Sequence, residues 1–202
     1  MIGDMEFFPA LEIGWFNGWI LFLVLYLTYG VLLLTFPKHV VKRLYEYNRS
    51  SWSRKHRAFY VTEKLMLVVY MILVVLSPLK VDSLFFIPGI VLFFFGLIGF
   101  IIALFNFKNT PLNQPVSRGL YRVSRHPQIL MLFIAGSGIG IAVGSLFVIF
   151  LQILASLFGR SRVLAEEQAC LKQYGDLYRD YMKNVPRYLL IKTCVEDVNS
   201  RN

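Results

Sequence analysis

Long apolar runs, separated by basic segments, constrain this chain more than any other feature. An α-helix rises 1.5 Å per residue, so about twenty apolar residues cross a hydrocarbon core roughly 30 Å thick. Three runs approach or reach that length, and two shorter runs fit as tilted spans joined by a tight turn at Gly144-Ser145. The pattern predicts an all-α membrane protein with about five transmembrane helices, the last two forming a helical hairpin. The predicted spans are residues 14–36, 59–77, 84–107, 128–143 and 146–158.

The composition supports a membrane protein organised as one domain. The chain is 56% hydrophobic and only 16% charged, whereas about a quarter of the residues are charged in ordinary soluble domains. We therefore predict a single membrane domain over residues 1–202. Residues 1–107 supply three N-terminal transmembrane helices, and residues 108–202 supply a polar loop, the hairpin and a C-terminal helix.

The positive charges are unevenly distributed along the chain. Lysines and arginines gather at residues 38–57, at 108–125 and after 160, whereas the first thirteen residues carry Asp4, Glu6 and Glu12 and no basic residue. Basic residues accumulate on the cytosolic side of membrane proteins. We therefore expect the N-terminus outside and the C-terminus in the cytosol. The net charge of +9 then reflects the bilayer as partner, and we expect no nucleic-acid partner.

A cation-rich passage precedes the predicted hairpin. Arg125 and His126 stand directly before Pro127, and Arg122 lies three residues before Arg125. Proline suits the first turn of a helix because its missing N–H has no partner to lose there. The free N–H groups of such a helix start suit an anionic or zwitterionic small molecule. The alternative is an ordinary positively charged membrane flank.

A second polar group follows the hairpin. Arg162 and Glu166 are four residues apart and share a helical face, with Glu167 beside them. The hairpin returns residue 158 to the membrane face of Pro127, so the two polar ends can form one site. Ionisable groups kept at the bilayer edge tend to be functional, although a surface salt bridge is the simpler alternative.

The C-terminal part indicates an amphipathic cytosolic helix. Tyr174, Tyr178 and Tyr181 recur at helical spacing and are expected to pack that helix against the membrane interface. Cys170 and Cys194 have no histidine nearby, so we expect no zinc or other metal site.

The order and spacing of these motifs carry a family resemblance. The chain reads Gly119-x-Tyr121-x-x-x-Arg125-His126-Pro127, then the hairpin, then Arg162-x-x-x-Glu166-Glu167, then Tyr174-Gly175-Asp176-x-Tyr178-x-x-Tyr181-x-x-x-Val185-Pro186. This arrangement resembles the integral-membrane methyltransferases of the isoprenylcysteine carboxyl methyltransferase and phospholipid methyltransferase superfamily. The resemblance implies S-adenosylmethionine as methyl donor at the cytosolic ends of the last two helices, and a lipophilic acceptor that enters from the bilayer.

The resemblance also implies site residues. Arg162 corresponds to the family's substrate-contacting arginine. The chain has Ile129 where an aromatic residue is usual, and Asn113 where a histidine is frequent. The implied donor-binding residues are Asn113, Gln114, Pro115, Val116, Tyr121, His126, Pro127, Gln128, Ile129 and Glu166.

Methyl transfer from a sulfonium suits these residue types. It is an in-line displacement with an activated leaving group, so the protein mainly aligns the reactants and excludes water. The donor carboxylate suits His126, Arg125 and the N–H groups near Pro127, and its ribose hydroxyls or amine suit Glu166. Arg162 can orient a carboxylate acceptor, whereas an amine acceptor needs a base, for which Glu167 and Glu63 are candidates.

Three functions stay open at this point. The first is methyl transfer, with an isoprenylcysteine carboxylate, a phospholipid amine or a small hydrophobic acid or thiol as acceptor. The second is an NADPH-dependent membrane reductase, since sterol-reductase-like proteins carry a similar Arg-His-Pro passage. The third is a non-catalytic membrane scaffold, which the unusual Ile129 and Met131 favour.

Overall fold

The computed structural model describes residues 5–45 and 53–189, and within these ranges the chain is helical without a β-sheet. A 3₁₀ turn at Gly119–Arg122 precedes the hairpin. The α-helices are α1 (Trp19–Thr35), α2 (Lys38–Tyr45), α3 (Arg54–Leu76), α4 (Phe86–Lys108), α5 (Pro127–Ala142), α6 (Leu146–Tyr174) and α7 (Asp176–Asn184). Asp4 and Cys194 lie outside the described residues.

The predicted all-α membrane fold is confirmed. Helices α3, α4 and α6 are long and apolar enough to cross a bilayer, whereas the apolar helices α1 and α5 are shorter, with 17 and 16 residues. Large apolar side chains such as Leu34 and Ile87 are exposed on the outer faces of these helices, which suits contact with lipid.

The hairpin has the turn that the sequence predicted. Pro127 is the first residue of α5, and α6 begins directly after Gly144-Ser145. Gly144 has a φ of +67°, a conformation that glycine adopts without steric cost. The Ser145 hydroxyl accepts a hydrogen bond from the Val148 N–H at 3.3 Å and so caps α6.

Close helix packing holds the hairpin in the bundle. Helix α4 packs along α5, and α3 packs along α6. A Cβ at Gly96 would lie 2.4 Å from the Ala135 nitrogen, and one at Gly138 would lie 2.4 Å from the Phe93 nitrogen. Glycine at these positions therefore allows the backbones of α4 and α5 to approach closely.

Two segments differ from the sequence-based expectation. Helix α6 continues for 29 residues to Tyr174, so Arg162, Glu166 and Glu167 belong to the same rod as the apolar part of the hairpin. The amphipathic C-terminal helix is α7, which starts after Gly175. Tyr174 therefore lies on α6, and only Tyr178 and Tyr181 lie on α7. Between α1 and α3, the basic segment after Pro37 contains the short helix α2.

The two ends of the bundle have different character. At one end the N-terminal segment contacts the hairpin turn, because the Glu6 N–H donates to the Gly144 carbonyl at 2.8 Å and the Leu146 N–H donates to the Glu6 carbonyl at 2.9 Å. The start of α5 lies at the other end, together with the second half of α6 and α7. The predicted polar site therefore falls at the end remote from the hairpin turn.

Candidate functional site

A buried ion cluster around Glu167 forms the centre of this polar end. Glu167 is fully buried, and its two oxygens contact Arg125, His126 and Arg187. Arg125 Nε lies 2.9 Å from Oε1 and His126 Nε2 lies 3.3 Å from the same oxygen. Arg187 donates from Nη2 to Oε2 at 2.8 Å, and from Nε to both oxygens. Two guanidinium groups thus compensate one buried carboxylate, as burial of charge requires, and the imidazole adds a third contact.

The C-terminal segment is fastened to the loop before α5. The Ser124 hydroxyl donates to the Arg187 carbonyl at 3.0 Å, and the Arg125 N–H donates to the Pro186 carbonyl at 2.9 Å. Arg125 also donates from Nη1 to the Met182 carbonyl at 3.0 Å. A cation is favourable at this position because the C-terminal end of the α7 dipole is negative. Hydrogen bonds therefore join residues 124–126 to residues 182–187 next to Glu167.

His126 connects this buried cluster to an exposed carboxylate. Its Nε2 faces Glu167, and its Nδ1 lies 3.8 Å from Glu166 Oε2. The histidine side chain is 5% exposed, whereas the Glu166 side chain is 51% exposed. Glu167 thus fixes the orientation of the imidazole from inside the protein, and Glu166 remains accessible to a ligand.

Tyr121 lies in the 3₁₀ turn that precedes Arg125 and His126. Gln128 Nε2 donates to its hydroxyl at 2.9 Å, and the Tyr181 hydroxyl donates to its carbonyl at 2.6 Å. Burial, and next the negative charge of Glu166, raise the pKa of Tyr121 well above its ordinary value. The phenol therefore keeps its proton and serves as a neutral hydrogen-bonding group.

The turn that carries Tyr121 requires glycine at position 119. Gly119 has a φ of +53°, and a Cβ there would lie 2.2 Å from Asn106 Nδ2 at the end of α4. Both the left-handed backbone and the close approach of Asn106 exclude a larger residue without strain.

Arg43 organises the loop that contains residues 113–116. From α2 it donates to the carbonyls of Thr110, Pro111 and Gln114 at 3.1, 3.2 and 2.8 Å. It also donates to the Tyr174 hydroxyl at 3.0 Å, and its guanidinium lies over the Phe107 ring. One side chain therefore joins α2, the loop and the end of α6, because a guanidinium offers five donors in a planar arrangement.

Arg162 does not pair with Glu166, the neighbour on its own helix. Its Nη2 lies 3.2 Å from Oε1 of Glu63, which α3 contributes. The Glu63 side chain is 4% exposed and that of Arg162 is 31% exposed. The salt bridge between Arg162 and Glu166 that the sequence offered as an alternative is replaced by a pair between two helices.

The structure brings some predicted site residues together and buries others in the ion cluster. His126, Pro127, Gln128 and Ile129 form the start of α5 beside Tyr121 and Glu166. Within the loop, Asn113 and Gln114 are exposed and Pro115 and Val116 are half-buried. The Arg125 guanidinium and the Glu167 carboxylate are both buried in the ion cluster. That burial does not favour the ligand contact predicted for Arg125 or the base role considered for Glu167.

Sequence reasoning missed the roles of three residues at this end. Arg187 completes the ion cluster, Arg43 holds the loop, and Tyr181 holds the Tyr121 turn. The signal for Arg187 was indirect: Glu167 lies on a helix continuous with a membrane span, and a carboxylate buried there needs cationic partners. The roles of Arg43 and Tyr181 depend on tertiary contacts that no local pattern announces.

Comparison with known proteins identifies the family. The family model described as phospholipid methyltransferase matches residues 65–177, which is more than half of the chain. The chain belongs to the phospholipid methyltransferase family. This membrane methyltransferase has no match among curated proteins. The family match includes His126, the hairpin, Glu166 and Glu167. Arg43, Glu63 and Arg187 lie outside it.

Proposed function

We propose that this methyltransferase transfers a methyl group from S-adenosylmethionine to a lipophilic acceptor, with a phospholipid amine as the preferred class. One observation carries the proposal: the hairpin brings His126 and Glu166 to 3.8 Å between Nδ1 and Oε2 at the start of α5. An imidazole, an accessible carboxylate and the free N–H groups of a helix start thus converge where a small zwitterion can bind.

The residues present fit the amino-acid part of the donor. The first-turn N–H groups of α5, at Gln128 and Ile129, suit its carboxylate, and Glu166 suits its ammonium group or ribose hydroxyls. The neutral Tyr121 phenol and the loop of residues 113–116 complete the proposed donor site. Arg125 supports this site from inside, since its own guanidinium is committed to Glu167. When bound, the donor would supply a methyl group from its sulfonium and leave as a neutral thioether, and the acceptor ammonium would first release one proton to solvent so that its nitrogen can form the new bond to carbon.

Glu167 has a positioning role in this proposal. Its contacts with Arg125 and Arg187 hold it in place, and its contact with His126 holds the imidazole. A preorganised site accelerates transfer by aligning the reactants and by excluding water. A base role for Glu167 is not proposed, because its carboxylate is fully buried among these partners.

The acceptor is proposed to approach along the membrane part of α6. Arg162 lies one turn before Glu166, about 6 Å along the helix axis, and its side chain is partly exposed. An acceptor head at Arg162 would therefore lie beside the donor site, while the acyl chains stay among the exposed apolar faces of the bundle. We also infer that this end faces the cytosol, since the basic segments collect there.

The proposal is tested by incubating the purified protein with radiolabelled S-adenosylmethionine and total membrane lipid. We expect label in the lipid fraction, with methylated phospholipid amines as products. Label in isoprenylcysteine methyl esters or in hydrophobic acids or thiols would change the acceptor and keep the reaction. Binding of NADPH without binding of S-adenosylmethionine would refute the proposal and favour the reductase. Binding of neither NADPH nor S-adenosylmethionine would refute the proposal and favour a non-catalytic membrane scaffold.

A further inference from the structure

Glu63 carries a buried charge for which the donor site has no use. It lies on α3, with Oε1 3.2 Å from Arg162 Nη2, and the residue as a whole is 3% exposed. The family match begins two residues later, at residue 65. A charged pair between two membrane helices is costly to keep in a bilayer, and such pairs commonly mark the path of a substrate.

The pair is only half satisfied. Among the described residues, neither Glu63 Oε2 nor Arg162 Nε has a hydrogen-bond partner, although both atoms are buried. An unpaired buried carboxylate oxygen and an unpaired buried guanidinium N–H each cost free energy until a partner arrives. The pair therefore contains one unsatisfied acceptor and one unsatisfied donor.

The neighbouring residues let the Glu63 carboxylate pack closely against α6. Position 159 on α6 is glycine, and a Cβ there would lie 3.1 Å from Glu63 Oε1. The Phe59 and Phe158 rings meet edge to face at 5.6 Å between centroids, one turn away on the same two helices. Because position 159 is glycine, the Glu63 carboxylate fits between α3 and α6. The Phe59–Phe158 pair fills the space between the same two helices one turn away.

We propose that Glu63 and Arg162 together bind the polar head of the methyl acceptor. Glu63 Oε2 accepts an N–H of that head, and Arg162 Nε donates to an anionic oxygen of the same head. The inference rests on the function proposed above and adds a binding residue from the N-terminal half of the chain. A head with both an N–H and an anionic oxygen satisfies both free atoms, whereas a carboxylate head would place two negative charges together.

The decisive experiment compares Glu63→Gln with the wild type in proteoliposomes that contain phosphatidylethanolamine. Glutamine keeps the shape of the side chain and removes its charge. We expect the KM for the lipid to rise at least about tenfold, since a hydrogen bond to a charged group is lost. The Kd for S-adenosylmethionine should stay within about twofold of the wild type. Arg162→Lys should raise the lipid KM in the same way, because a lysine has no second donor in the guanidinium plane.

A charge exchange separates acceptor binding from a purely structural pair. In the double variant Glu63→Arg with Arg162→Glu, a structural pair would be restored, whereas we expect lipid methylation to remain impaired. Asp82→Asn removes an exposed carboxylate from the loop between α3 and α4 and should leave the lipid KM unchanged.

Three results would overturn the inference. They are an unchanged lipid KM in Glu63→Gln, a loss of lipid and donor affinity in equal proportion, and full recovery of lipid methylation by the charge exchange. A wild type that binds the donor and methylates only carboxylates or thiols would overturn it as well. A wild type that binds no donor refutes the proposed function itself, so the two failures are distinguishable.

Discussion

His126 and Glu166 lie on opposite arms of the α5–α6 hairpin, with Nδ1 and Oε2 3.8 Å apart. The turn at Gly144 returns α6 along α5, and Glu167 at the next position holds the same imidazole through Nε2. One histidine is therefore shared between a buried structural carboxylate and an accessible one. In the proposed function the two adjacent glutamates therefore have different roles: Glu167 shapes the site and Glu166 faces the ligand.

Replacing Glu167 by glutamine should strongly destabilise the fold. The change keeps the side-chain volume and leaves Arg125 and Arg187 buried without their carboxylate, which we expect to cost about 3–5 kcal/mol. The apparent Tm of the protein in detergent, followed by circular dichroism, measures the effect. Asp180→Asn is the matched control, because Asp180 pairs with Lys183 on the exposed face of α7, and its Tm should not change. Equal Tm values for Glu167→Gln and the wild type would contradict the structural role of the cluster.

Gly119→Ala should destabilise the turn that carries Tyr121. Alanine at a φ of +53° is strained by about 1–3 kcal/mol, and its Cβ also collides with Asn106. We expect a lower apparent Tm and a weaker affinity for S-adenosylmethionine.

Gly30→Ala provides the control for this substitution. Gly30 lies in α1 with no atom within 4 Å of the added Cβ, so alanine there should be neutral or slightly stabilising. If the two alanine variants behave alike, the glycine at position 119 has no conformational role.

Arg43→Ala should weaken donor binding without unfolding the protein. The loop that contains residues 113–116 loses the guanidinium that joins the carbonyls of Thr110, Pro111 and Gln114 to α2 and Tyr174. The donor would then have to order this loop on binding, and we expect its Kd to rise about tenfold, measured by calorimetry. Arg43→Lys should recover only part of the affinity, since lysine cannot span the carbonyls. Lys38→Ala, on the exposed side of the same helix, should bind like the wild type. An unchanged Kd in Arg43→Ala would mean that the loop does not hold the donor.

Much of the fold could be predicted because it follows from local chemistry. Apolar length indicated the spans, Pro127 marked the start of α5, and Gly144-Ser145 marked the hairpin turn. The extent of α6 beyond residue 158 was missed, since charged residues suggested a boundary where the helix simply leaves the apolar region. The amphipathic helix starts later than the tyrosine spacing indicated, because α6 ends at Tyr174 and α7 starts at Asp176.

The two helices that form the site could be predicted, but the ion-pair partners of its charged residues could not. The positions of His126 and Glu166 on the two arms of a hairpin implied that they meet. The choice of Glu63 as the partner of Arg162, and of Arg187 as a partner of Glu167, depends on how α3 and the C-terminal segment pack against α6. The chain contains several arginines and carboxylates, and the sequence pattern alone does not show which of them pair.

The central claim is that the two arms of the hairpin bind one methyl donor. Calorimetric titration of the detergent-solubilised protein with S-adenosylmethionine tests this claim most directly, with His126→Ala and Glu166→Ala beside the wild type. We expect saturable binding by the wild type and none by either variant, while circular dichroism shows that both variants keep their helices. Unchanged donor affinity in both variants would contradict the account.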